Sequence, residues 1–168
     1  VNREKRFSTK DIVGIALWAV LYAVAVIAFA PISFELLQVR IADALMPMPI
    51  IFGMPAVLGL ALGCVVANFY GGLGIVDIIG GPITNLIAGY LAWKIGQMKF
   101  KGSWFVATVV ETIVVTLIVG SYLSVLFDVP LLISYVSILP GCIISMNILG
   151  YILLKTLSKV LPKTVSRS

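Results

Sequence analysis

The sequence predicts an all-α integral membrane protein: six transmembrane helices in a single domain over residues 1–168, with both termini in the cytoplasm. Three observations predict it. Hydrophobic residues make up 61% of the 168 positions and charged residues only 11%, a balance outside the range of soluble domains. Residues 12–34, 44–76 and 129–154 each run uncharged for longer than the roughly 20 residues an apolar helix needs to cross the hydrocarbon core. Eleven of the twelve Lys and Arg residues fall in three clusters, Arg3 to Lys10, Lys94 to Lys101 and Lys155 to Arg167. Cytoplasmic segments retain positive charge during insertion, so the two ends and the 94–101 loop belong on that side.

The first helix is expected over residues 11–30, ending at Pro31. Its apolar stretch exceeds the roughly 7–15 residues of a signal-peptide core, so it reads as a retained span despite the small residues Ala28 and Ala30. The next stretch holds Pro47, Pro49, Gly53 and Pro55, and interior prolines break helices. Two short helices meeting near Gly53 fit better than one long one. Parity agrees: the 94–101 loop is cytoplasmic only after an even number of crossings, so residues 31–93 must supply three. These are expected at 39–51, 54–69 and 78–96, followed by 103–125 and 131–156. The second helix is short, about 18 Å at 1.5 Å per residue, and needs neighbours to shield its ends. Trp93 and Trp104 flank the lysine loop as interfacial aromatics do.

Several function classes are excluded. The net charge of +5 sits where orientation signals belong, which argues against nucleic-acid binding. The chain has no His, and its two Cys, Cys64 and Cys142, lie in apolar runs. No metal site, disulfide framework, Ser-His-Asp triad or HExxH motif is expected. Gly71-Gly72-Leu73-Gly74 lacks the Lys-Ser/Thr ending of a phosphate-binding loop, so the chain does not itself use ATP. No enzyme activity and no cofactor are expected.

Polar residues inside apolar helices are the candidate site, because a charge at the bilayer centre costs at least about 2.5 kcal/mol and needs a reason to persist. Glu35, Asp43, Asp77 and Asp128 map to the outer side, with Arg40, Asn68 and Tyr70 beside them. Arg40 and Asp43 are three residues apart, the spacing of an ion pair on one helical face or of two groups reading one ligand. Glu111 lies deeper on a polar side with Thr108, Thr112 and Thr116; a hydrogen bond to Asn147 is its packing reading and ligand contact its functional one. Asn85 and the stripe Ser134, Ser137, Gly141, Ser145 serve either as interhelical hydrogen bonds or as a pocket wall. Pro140 in that stripe frees the carbonyl of Val136. Small-residue stripes, among them Ala16, Ala19, Ala23 and Ala30, Gly59, Gly63 and Ala67, and Gly81, Gly89 and Gly96, mark close helix approach.

The run Gln38-Val39-Arg40-Ile41-Ala42-Asp43-Ala44-Leu45, then Gly59 to Gly72 with Ala67-Asn68-Phe69-Tyr70-Gly71-Gly72, then Asp77-Ile78-Ile79, resembles the queuosine-precursor transporter (QueT) family. Its members are substrate-binding S components of energy-coupling factor (ECF) transporters. The resemblance is densest over residues 38–95. It implies a protein that captures a small micronutrient from outside, docks on a membrane T component and releases the substrate inside while two ATPase subunits supply the energy. It implies docking through Ala19 and Ala23, and substrate binding around Arg40, Asp43, Asn68 and Asp77. The chain departs from the family pattern at Asp43, at Phe69-Tyr70, and at Pro82 and Asn85, all close to the presumed pocket. The substrate-binding set expected is Arg40, Asp43, Asn68, Tyr70, Asp77, Asn85 and Glu111, in contact with a deazaguanine or another vitamin-like molecule. The alternative is a stand-alone proton-coupled carrier with Glu111 as the proton site.

Overall fold

A computed structural model describes residues 7–33, 39–98 and 100–161 of the chain; the expectations for Glu35, Gln38 and Lys99 lie outside them. Every regular element among the described residues is helical. Five stretches are long and apolar enough to cross a membrane: Thr9–Ala28, Met54–Gly71, Ile75–Gly96, Ser103–Leu126 and Leu131–Val160.

Helix α1 (Thr9–Ala28) begins at a capping box, in which the Ser8 hydroxyl accepts from the Asp11 N–H and the Asp11 carboxylate accepts from the Ser8 N–H. A single turn, α2 (Ala30–Ser33), follows. The expected second helix is present as a broken apolar segment: a 3-10 helix, Ile41–Leu45, then one α-helical turn, α3 (Pro49–Phe52). Prolines cause the break, because Pro47 and Pro49 have no N–H to donate. Gly53 then reverses the chain at φ 68°, a conformation open to glycine, and α4 (Met54–Gly71) begins. After Gly72 and Gly74, both at positive φ, come α5 (Ile75–Gly96) and α6 (Ser103–Leu126).

The last stretch is α7 (Leu131–Cys142), a π-helical segment (Ile143–Gly150) and α8 (Tyr151–Val160). The buried positions Ser134, Ile138, Cys142, Met146, Gly150 and Leu154 fall every four residues. Four residues overshoot an α-helical turn by about 40°, so an unbroken α-helix would carry this stripe away from the core. The wider π turns take up the drift and keep the stripe facing inward.

Glycines fix the direction of each pass. A Cβ on Gly59 would meet Trp18 and the Ile15 carbonyl, and one on Gly63 would meet Ala19 and Tyr22. Each turn up α4 is therefore a turn up α1, and the two long helices run parallel. A crossing must separate them, and Ile41–Phe52 makes it. Asp43 lies beside Tyr22 in the upper half of α1. Ile50 reaches the far end of α5, where it fills the space left by Gly96 and its carbonyl accepts from Gln97 Nε2 at 3.0 Å.

α5 and α7–α8 descend while α6 ascends: Gly120 faces Tyr135, and Phe105 packs edge-on against Tyr151. Thr9, Gly96, Ser103 and Val160 thus share one end of the bundle. At that end the Lys94 ammonium sits 4.8 Å from the Trp93 ring centre, and that of Lys155 sits 5.3 Å from Trp104. Large apolar side chains such as Leu17, Val24, Leu62, Ile79, Ile113 and Leu132 cover the outside, whereas Arg40, Asp43, Asn68, Asp77, Asn85 and Glu111 are buried. This is the arrangement lipid requires, with polar groups turned inward.

Candidate functional site

The short crossing carries the site's charges into the bundle. Arg40 directly precedes its 3-10 helix and Asp43 lies within it, and this segment packs against α1 and the π-helical segment. The Tyr22 hydroxyl donates to Asp43 Oδ1 at 2.7 Å. The Arg40 guanidinium approaches Cys64 Sγ at 4.0 Å and lies close enough to act on the Asp43 charge.

A second polar group sits where α4, α5 and α6 meet. Asn68 Nδ2 donates to the Asp77 carbonyl at 2.8 Å, and the Tyr122 hydroxyl donates to Asp77 Oδ1 at 2.8 Å. Gly80 and Gly81 make this possible: the first admits the Tyr122 ring, and a Cβ on the second would collide with Asn68. Between the two groups lies a cavity of about 20 Å³ lined by Arg40, Asp43, Gly81, Asn85, Val115, Val119 and Cys142. That is room for one water-sized molecule, whereas small-molecule pockets run to roughly 300–1,000 Å³. The bundle is closed around its polar centre.

Glu111 lies one helical turn below Val115, under this cavity, and within electrostatic reach of Asp43. It is 0% exposed, and neither carboxylate oxygen has a hydrogen-bond partner among the described residues. Thr116 Oγ1, Ser145 Oγ, Asn85 Nδ2, Asn68 Oδ1 and Asp77 Oδ2 are also buried without hydrogen-bond partners among the described residues. Buried polar atoms almost always find partners, so the gathering of so many partnerless ones within the bundle is a property of this polar interior.

The structure brings Arg40, Asp43 and Asn85 to one cavity, places Glu111 beneath it, and joins Asn68 to Asp77 at its side. Tyr70 does not join them. It is 61% exposed on the outside of α4, because Asn68 faces inward and two steps of about 100° carry Tyr70 round to the lipid side. Of the two readings of Glu111, the hydrogen bond to Asn147 is not made; Asn147 Oδ1 instead accepts from Thr112 Oγ1 at 2.9 Å, because the π-helical segment turns Asn147 away from the position an α-helix would give it. Ala23 is only 7% exposed, and the Ala19 backbone lies under Gly63 of α4. Both alanines thus take part in packing within the chain. Tyr22 and Tyr122, absent from the expected set, orient the two acids. A buried tyrosine needs a partner for its hydroxyl, but a lone Tyr in an apolar helix names none in advance.

A family model described as QueT transporter matches residues 12–159. The chain belongs to the QueT transporter family. The family is one of transporters, not enzymes, and the match runs from the first turn of α1 to the last turn of α8, so it includes every residue of the site just described. The chain is accordingly a multi-pass membrane transport protein. No individual curated protein and no solved structure matches it.

Proposed function

We propose that the chain is the substrate-binding S component of an ECF-type transporter, taking up a deazaguanine precursor of queuosine. The observation that carries the reading is the partnerless Glu111 carboxylate beneath a cavity walled by Arg40, Asp43 and Asn85. A deazaguanine offers adjacent N–H donors and a carbonyl acceptor in one plane; a carboxylate takes the donors, and Arg or Asn supplies the acceptor's partner. Asp43 and Glu111 are the candidate carboxylates, and Asn68, Asp77 and Tyr122 brace the wall. The lysine-rich end of the bundle faces the cytoplasm on this reading, so substrate enters from the end carrying Asp77 and Asp128.

The closed cavity must widen to admit a heterocycle. Pro140 lacks the N–H that would tie it to Val136, and the π turns after it form a deformable stretch beside the cavity wall at Gly141 and Cys142. Energy comes from outside the chain, since the Gly71 to Gly74 loop lacks the residues that bind ATP. A T component and two ATPase subunits are the partners this requires. Glu111 also supports a second reading, a proton-coupled carrier working alone, because an intramembrane carboxylate is the usual proton site of such carriers.

The test is calorimetry with 7-deazaguanine on detergent-solubilised protein. A charge-assisted hydrogen bond is worth about 1.5–3 kcal/mol, so Asp43→Asn and Glu111→Gln should each weaken binding by about tenfold or more at little loss of thermal stability. Unchanged affinity in both variants overturns the assignment. Uptake by the chain alone in liposomes with an imposed proton gradient, lost in Glu111→Gln, establishes the carrier reading in its place.

A further inference from the structure

At the lysine-rich end of the bundle, far from the cavity, the start of α6 and the end of α8 enclose a second recess of about 300 Å³, lined by Phe100, Gly102, Ser103, Trp104, Tyr151 and Lys155 among others. Three features point to an anion. Helix α6 starts at Gly102 with no side-chain cap and no acid in its first turn, so the N–H groups of Trp104 and Phe105 have no carbonyl within the helix and the positive end of its dipole is uncompensated. The Ser103 side chain is 6% exposed and lines the recess, yet its hydroxyl makes no hydrogen bond to any described residue. The Lys155 ammonium is held over the same recess by two aromatic faces, 5.3 Å from the Trp104 ring centre and 5.4 Å from that of Tyr151.

We propose that this recess binds the phosphate of an anionic phospholipid headgroup. A helix N-terminus, a hydroxyl donor open to the recess and an ammonium held over aromatic rings line the same recess, which is the donor set a phosphate monoanion takes. The lipid is favoured over free phosphate by the rim: Phe100 lines the recess and Phe105 packs on Tyr151 beside it, both exposed apolar side chains placed to meet acyl chains, and Trp104 and Tyr151 are the interfacial aromatic types. Lys94 provides an internal comparison, since it too lies over aromatic rings at the same end, Tyr90 and Trp93, but does not line this recess.

Native mass spectrometry of the full chain, titrated with dioleoyl phosphatidylglycerol or with dioleoyl phosphatidylcholine, tests the site. One phosphatidylglycerol should bind more tightly than the rest and more tightly than phosphatidylcholine by about tenfold. Lys155→Gln and Ser103→Ala should each remove most of that preference, and Lys94→Gln should leave it intact. Equal loss in Lys94→Gln would mean a diffuse surface charge and overturn the proposal, as would full preference retained in Lys155→Gln. Displacement of the bound lipid by millimolar inorganic phosphate would overturn the lipid assignment.

Discussion

Gly63→Ala should destabilise this protein although alanine is the better helix former. The added Cβ would stand 2.5 Å from the Ala19 carbonyl oxygen, 2.9 Å from Tyr22 Cβ and 3.1 Å from Ala19 Cα. Ordinary contact begins near 3.4 Å, so α1 and α4 must part by about 0.9 Å. None of the three atoms is the free end of a flexible side chain, so the cost falls in the upper half of the roughly 1–3 kcal/mol of core overpacking. Helix propensity returns about 1 kcal/mol, leaving a net loss of about 1–2 kcal/mol. For a chain of this size that lowers Tm by about 2–8 °C. The control is Gly14→Ala, the same chemical change on the same interface, whose Cβ would meet only Pro55 at 3.4 Å; it gains propensity and should raise Tm slightly. Thermal melts of both variants in one detergent, followed by tryptophan fluorescence, separate the two effects. Because Tyr22 holds Asp43 across this interface, calorimetry should also find weaker substrate binding in Gly63→Ala alone. If both variants shift Tm in the same direction by the same amount, the parallel docking of α1 on α4 through Gly63 is wrong.

Two further outcomes are expected. With the native Cys64 and Cys142 both buried and free, an impermeant thiol reagent applied to intact cells should label Asp128→Cys and spare Lys101→Cys; the reverse pattern inverts the bundle in the membrane. Ala23→Leu should lower Tm by disturbing α1 packing, because Ala23 is buried, whereas the exposed Ala16→Leu should leave the isolated chain as stable as before, and a Tm unchanged in Ala23→Leu would return that residue to an outward docking surface.

The long spans were legible because lipid demands unbroken apolar runs, and charge at positions such as Asp11, Asp77 and Asp128 delimits them. Even the weak second crossing could be read, from its prolines and from the parity of the lysine clusters. The acids and amides of the site stood out for the same reason, being expensive where they are. What the sequence concealed depends on rotation about a helix axis. Tyr70 is two residues from Asn68 yet faces the opposite environment. The packing reading of Glu111, a hydrogen bond to Asn147, rests on an α-helical period that the π turns do not keep. Tyr22 and Tyr122 are common residues in membrane helices, and only the positions of Asp43 and Asp77 in space give their hydroxyls a purpose.

The parallel course of α1 and α4 has a consequence for how the chain is made. An apolar stretch the length of Ile41–Phe52, carrying Arg40 and Asp43 at its head, is too short to partition into lipid when it leaves the ribosome. It gains shelter only when α1 and α4 close on each other and Gly150 receives Ala44 and Pro47. Residues about a hundred positions apart, Ala44 and Pro47 on one side and Gly150 on the other, must therefore meet before the stretch headed by Arg40 and Asp43 is sheltered.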